Sequence, residues 1–363
     1  MVQAPLQIEA PNMSEPIAYF DGHNDVALRL YLDRAGDSVG DFLKGTEKGH
    51  IDLPRARRGR FVGGLFALFS PSPKAPNFAA PAAGAFSPAT PPVLPVPEAW
   101  ESARGELALL LRLIDRSEGQ IALCRDVHQI REAIAAGRLA LVVHLEGADC
   151  IDEDFFTLEV LYGAGLRSLG PVWSRPNAFG HGVPFKFPGS PDQGPGLTEA
   201  GKRLVAYCNA RKILIDLSHL NEAGFWDVAK HSDAPLVATH SNVHAIAPSP
   251  RNLTDKQLDA IRDSQGMVGL NFATSFLRDD GQMRPDTEVS VMVRHLDALI
   301  ERLGEDHVGI GSDFDGAGVP AAIGSVAGVP VLFEALRAHG YDEPLLRKLG
   351  SENWLGLLGR TWG

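Results

Sequence analysis

The sequence predicts a (β/α)8 TIM-type barrel with a C-terminal helical extension and two long loops over the barrel mouth. Short apolar runs alternate with segments of helical periodicity, which is the pattern of parallel βα units. Several of those runs end on a histidine or a carboxylate, at the end where a parallel barrel presents its chemistry. Two stretches rich in proline and glycine are too long for ordinary connections.

Ile17 to Phe20 reads as the first strand and leads into Asp21-Gly-His-Asn-Asp25. Phe61 to Phe69 is the second strand, and Pro71 to Pro97, with nine prolines, is an excursion over the barrel mouth. Glu98 to Asp115 is helical, with Leu107, Leu110, Leu111 and Ile114 on one face. Leu139 to Leu145 is the third strand and ends at Glu146. A helix over Phe155 to Tyr162 precedes the fourth strand, Leu166 to Trp173, and Pro176 to Gly196 is the second long loop.

Thr198 occupies the N-cap position of a helix that ends near Ala210. Ile213 to Leu217 is the fifth strand, ending at His219, and Asn221 caps a helix running to Lys230. Pro235 to Ala238 is the sixth strand and leads to His240. Thr254 and Gln257 have capping-box spacing for the next helix. Gly266 to Phe272 is the seventh strand, Ser290 to Leu303 a helix, and His307 to Ser312 the eighth strand, ending at Asp313. Pro344 to Leu358 is the helical extension.

A chain of 363 residues, 44% of them hydrophobic, can bury a large core. The expected organisation is an N-terminal extension over residues 1–16 and a single barrel domain over 17–363. A net charge of −11 argues against a nucleic-acid or anionic-membrane partner. Met1 to Phe20 has no basic residue and no apolar block, so no signal peptide is expected. Cys124, Cys150 and Cys208 lie far apart, which predicts buried, reduced thiols and a cytoplasmic setting.

His23, Asp25, Glu146, His219 and His240 all fall at expected strand ends. Residues i and i+2 of a strand share a face, so His23 and Asp25 can both point into the mouth. Zinc accepts histidine nitrogen and carboxylate oxygen, and an incomplete shell leaves room for water. The set fits two Zn²⁺ ions: His23, Asp25 and Glu146 on one, Glu146, His219 and His240 on the other. Asp313 is placed to shuttle a proton between water and a leaving amine, whereas Asp315, followed by Gly316, reads as a turn residue. Arg251 could grip a carboxylate in a bidentate fork, although spacing alone favours an ordinary surface arginine. His144, one layer deeper than Glu146, reads as a hydrogen-bonded core histidine, and His181 stays open. No nucleophile elbow, Walker loop or dinucleotide fingerprint is present.

These stretches resemble the renal (membrane) dipeptidase family of zinc peptidases. Further matches are His50-Ile-Asp-Leu-Pro54, Gly165-Leu-Arg167, Asp216-Leu-Ser-His219, Thr239-His-Ser241, Arg251-Asn252, Gly309-Ile-Gly-Ser-Asp-Phe-Asp-Gly316 and Gly350-Ser-Glu-Asn353. The resemblance runs from about residue 17 to the end. It implies a barrel with two zinc ions that hydrolyses dipeptides by a metal-bridging hydroxide, including dipeptides with a D-residue at the C-terminal position. It also implies the same five ligands, Arg251 as the receptor of the substrate carboxylate, and Asp313 as acid/base. Members often form homodimers, but no interface is legible here. One departure stands out: Val172-Trp-Ser174 occupies a place where the family often has a histidine in a Thr-His-Ser context, so Trp173 either substitutes as a donor or walls the pocket.

Two rival readings remain at this level. A binuclear amidohydrolase acting on an N-acyl amino acid, cyclic amide or lactone would usually show His-x-His on the first strand and a lysine at a central strand end. Neither is found. A metal-free binding protein would not need this ligand set.

Overall fold

The computed structural model describes residues 16–72 and 85–363. Except for Pro16, the expected N-terminal extension lies outside the described residues, and so does the part of the proline-rich excursion at 73–84. Among the described residues nine strands form: β1 (Tyr19–Asn24), β2 (Phe61–Phe69), β3 (Ile121–Leu123), β4 (Leu139–Glu146), β5 (Leu166–Gly170), β6 (Leu214–Ile215), β7 (Val237–Ala238), β8 (Met267–Leu270) and β9 (Val308–Ile310). Their order is β6-β5-β4-β2-β1-β9-β8-β7, with parallel pairing throughout. A parallel bridge between Asp216 and Val237 closes the ring between β6 and β7. The chain is therefore the expected (β/α)8 barrel, with one extra strand, β3, paired to the start of β4.

Differences from the expected strands have local causes. β5 stops at Gly170 because Pro171 has no N–H to continue the ladder. β6 and β7 shrink to two residues each because the Asp216 side chain takes over their hydrogen bonds. One of its oxygens accepts the N–H of Ser218 at 3.0 Å and that of Thr239 at 2.9 Å. The expected helix caps form. Thr198 accepts from Gly201 N, Asn221 accepts from Gly224 N, and Thr254 with Gln257 makes a capping box. Short helices at Val26–Leu32, Ser38–Lys44, Leu53–Arg58, Val127–Ala135 and Val329–His339 were not expected, being too brief or weakly periodic to stand out.

The two long loops meet over the mouth. Phe86 and Phe187 exchange backbone hydrogen bonds of 2.8 Å in both directions, a single antiparallel bridge between loops a hundred residues apart in the chain. The three cysteines are buried and unpaired. Among the described residues no helix is long and apolar enough to cross a membrane.

The barrel interior is closed below by the helix Asn353–Trp362. Trp354 is fully buried and packs in one cluster with Phe20, Leu65, Val142, Leu214 and Met267, while its indole N–H donates to the Ile310 carbonyl at 2.8 Å. Gly22 of β1 and Gly309 of β9 make room for the indole, because a Cβ at either position would overlap it. That is the reason for glycine between Asp21 and His23. Trp354→Ala would leave a cavity under the site and should cost about 3–5 kcal/mol of stability, to be read from denaturant unfolding.

Candidate metal centre

His23 is the penultimate residue of β1 and Glu146 the last of β4, while His219 and His240 follow β6 and β7 within a few residues. Asp25 lies just past β1 as the N-cap of the helix Val26–Leu32. It shares the site with His23 because the chain turns there, and not through alternation along one strand face. All five are nearly inaccessible, from 0% for His23 and His240 to 6% for His219. One Glu146 oxygen, Oε1, is 3.6 Å from His23 Nε2, 2.9 Å from His219 Nε2 and 3.5 Å from His240 Nε2. Asp25 Oδ2 lies 3.4 Å from His23 Nε2. The trios His23–Asp25–Glu146 and Glu146–His219–His240 each bring one ligand atom per residue within 4.8 Å of the others, and so does His23–His240–Asp313.

The electrostatics ask for positive charge. Burial drives the carboxyls of Glu146 and Asp313 upward, since neither can stay ionised in a dry site without a counter-charge. Burial opposes a charge on His23, but the carboxylates of Glu146 and Asp25 outweigh it and lift its pKa to about 10. Burial, helped by His23 and Arg251, holds His219 and His240 well below the usual imidazole range, in the neutral form that ligates metals. Both ring nitrogens of His23 are buried without a hydrogen-bond partner among the described residues. Such an orphaned imidazole is costly unless something occupies it, and a divalent cation accepting nitrogen and oxygen fits this donor set.

Residues that sequence reasoning missed hold these candidate ligands in place. Ser174 Oγ lies 2.9 Å from His219 Nδ1. Thr239 Oγ1 lies 2.8 Å from His240 Nδ1 and donates to Asp216 at 2.6 Å, so a carboxylate orients that imidazole through a hydroxyl. Asp21 accepts from the Ser312 N–H and hydroxyl, both at 2.7 Å, and ties β1 to the end of β9. Asn271, one residue past β8, donates to Asp313 Oδ2 at 2.9 Å. Arg175 is fully buried, paired to Asp149 at 2.9 Å and bonded to Ser72 and the Ser70 carbonyl, with its guanidinium 5.1 Å from the Trp173 ring. Ser174, Thr239 and Asn271 were legible only as polar residues beside expected strand ends. Arg175 gave no signal, because its partners are distant in sequence.

The remaining expected residues fall as follows. Asp313 adopts a left-handed backbone (φ 59°) and lines a cavity of about 180 Å³ with Asp25, Glu146 and His219. Gly316 faces both Asp25 and Asp313, where a Cβ would strike the two carboxylates. Asp315 is structural, accepting from Arg29 at 2.9 Å and from His50 N at 2.5 Å. Trp173 lines the cavity 6.0 Å from the His219 ring. Arg251 is 2% exposed, and its Nη atoms donate to the carbonyls of Ser218 and His240, while its Nε–H has no partner among the described residues. His144 bonds Ser168 at 2.8 Å, as a core histidine should, with its Nε2 3.7 Å from Asp216. His181 does not line the cavity.

Thr239→Val and Ser174→Ala should each weaken divalent-metal binding by roughly 10–100-fold, measured by competition with a chromogenic chelator. Unchanged affinity in both would deny the hydroxyls their orienting role.

The chain matches the family model for membrane dipeptidase (peptidase family M19) over residues 8–361. It is 51% identical over 268 residues to an uncharacterised protein of the pqqA 5′ region of Klebsiella pneumoniae, covering 74% of this chain and 97% of that protein. A crystal structure of a metallopeptidase from Rhodobacter sphaeroides, liganded with a phosphinate mimic of the dipeptide L-Ala-D-Ala, is 55% identical, with a TM-score of 0.93 and coverage of 96% of this chain and 100% of that one. The crystal structure of a metallopeptidase called dipeptidase AC is likewise 55% identical, with a TM-score of 0.91 over the same shares. With a matching family model over nearly its whole length and a cluster of imidazoles and carboxylates at the barrel mouth, the chain belongs to the membrane dipeptidase family, peptidase family M19.

Proposed function

We propose that the chain hydrolyses the peptide bond of dipeptides with two zinc ions, and that its substrates include dipeptides whose C-terminal residue has the D configuration. The observation that carries this is the approach of three imidazole Nε2 atoms to within 3.6 Å of one Glu146 oxygen. His23, Asp25 and Glu146 would hold one ion, and Glu146, His219 and His240 the other. Bound ions would bring the pKa of water to about 7 and polarise a carbonyl. The phosphinate mimic of L-Ala-D-Ala on the Rhodobacter sphaeroides structure supports the substrate class.

The chain's own groups supply the rest. Asp313, oriented by Asn271, would take a proton at Oδ1 or Oδ2 and deliver it to the departing amine. Arg251 would offer its unpartnered Nε–H edge to the substrate's free carboxylate, a charge-assisted bond in a dry site. Trp173 would wall the His219 side of the pocket. The loops joined at Phe86 and Phe187 would limit the site to short substrates.

Glu146→Ala should abolish dipeptide hydrolysis and release at least one equivalent of metal, as read by amine release and elemental analysis; a fully active variant retaining both ions would remove the assignment. Asp313→Asn should lower kcat by about 10²–10⁴-fold with bound metal retained. Arg251→Lys should raise KM roughly 10–100-fold, in line with losing a hydrogen bond to a charged group. If that variant loses metal instead, Arg251 serves to fix the backbone of His219 and His240. Turnover of N-acyl amino acids without turnover of dipeptides would favour the amidohydrolase reading.

A further inference from the structure

The cavity above the metal centre is lopsided in chemistry. Its floor carries Asp25, Glu146, His219 and Asp313, and one flank is small, with Ala273, Gly316, Ala317 and Gly318. The same lining carries a run of touching aromatic rings. Phe69 meets Trp173 edge-on at 5.0 Å, Trp173 meets Phe185 at 5.3 Å, and Phe185 stacks nearly parallel on Phe276 at 6.3 Å. Met283, 45% exposed, belongs to the same cavity lining as Phe276. An exposed methionine bordering an apolar cavity is a soft, adjustable surface that can close on side chains of different shape.

Resting on the dipeptidase reading, we propose that Phe185, Phe276 and Met283 form the subsite for the side chain of the substrate's C-terminal residue, and that it selects bulky apolar side chains. The placement follows from Arg251. Its guanidinium lies 5.2 Å from the centre of the Phe276 ring, so a carboxylate drawn toward that positive charge brings the adjacent α-carbon against Phe276 and the Phe185 ring stacked on it. Arg251 touches Phe276 from outside the cavity lining, so Lys186 is the one lysine or arginine among the described lining residues, and its ammonium is already bonded to Gln193 at 3.0 Å. The wall therefore offers an acidic side chain little and an apolar one a dry surface. Burying a leucine- or phenylalanine-sized group there should be worth about 10–100-fold in kcat/KM over glycine.

The test is a panel with alanine fixed at the N-terminal position and Gly, Ala, Leu, Phe, Glu or Lys at the C-terminal position, in both L and D forms, on metal-loaded protein. A kcat/KM at least 10-fold higher for Leu or Phe than for Gly supports the inference. Phe185→Ala should bring that ratio close to unity, and Met283→Ala, at an exposed position that leaves the fold intact, should lower it about 3-fold. A flat profile overturns the inference while leaving the dipeptidase reading standing. So does a preference for Glu, which would transfer selection to Lys186, or ratios that neither variant changes. A reverse panel that shows the apolar preference at the N-terminal position overturns the placement. No turnover of any dipeptide overturns the dipeptidase reading and this inference with it.

Discussion

Three carboxylates, Asp25, Glu146 and Asp313, and three imidazoles, His23, His219 and His240, are buried within a few ångströms of one another, and this crowding governs the top of the barrel. In water such a cluster would be unremarkable. Out of water the acids cannot remain ionised together unless positive charge is brought in, and two of the imidazoles are kept neutral by the same burial. Of its own groups, His23 supplies part of that charge, lifted by the carboxylates beside it, and the arginines supply little. Arg251 faces two backbone carbonyls, and Arg175 is matched to Asp149 behind the pocket wall. The residual demand is one that bound metal would meet, as the donor set of His23, Asp25, Glu146, His219 and His240 allows.

Holding the ligands still requires partners beneath them. Hydroxyls do much of this: Ser174 for His219, Thr239 for His240 and Ser312 for the Asp21 junction below His23. Asp216 serves two ends at once, shortening β6 and β7 while orienting His240 through Thr239. Its side chain replaces ladder bonds with bonds directed at the site. The same segments thus give up regular strand to gain control over a ligand. Space is handled with equal care, since Gly316 leaves room for two carboxylates and Gly22 for an indole.

Most of the residues that cluster at the mouth were legible in the sequence because strand ends are readable from apolar runs, and histidines or acids placed there are conspicuous. The helix caps were legible for a similar reason: Thr198, Asn221 and the Thr254–Gln257 pair act on neighbours three residues away. What escaped was long-range. Asn271 could be seen as a polar strand-end residue, but its bond to Asp313 spans 42 positions. Arg175 reaches back 105 residues to Ser70. β3 is three residues long and gives no periodicity to detect. Asp25 does lie beside His23, but through the turn after β1 and not through the strand-face relation expected.

The position of Trp354 ties the metal centre to the order of synthesis. β1 pairs directly with β9, and the indole beneath Gly22 belongs to a helix that follows every barrel strand. His23 is among the first ligands to leave the ribosome, yet its strand has neither its second neighbour nor its floor until residues 308–354 have emerged. Domains generally fold as units once their chain is available. A nascent chain that has already exposed His23, Asp25, Glu146, His219 and His240 therefore still lacks the last strand and the floor that fix the first two of them.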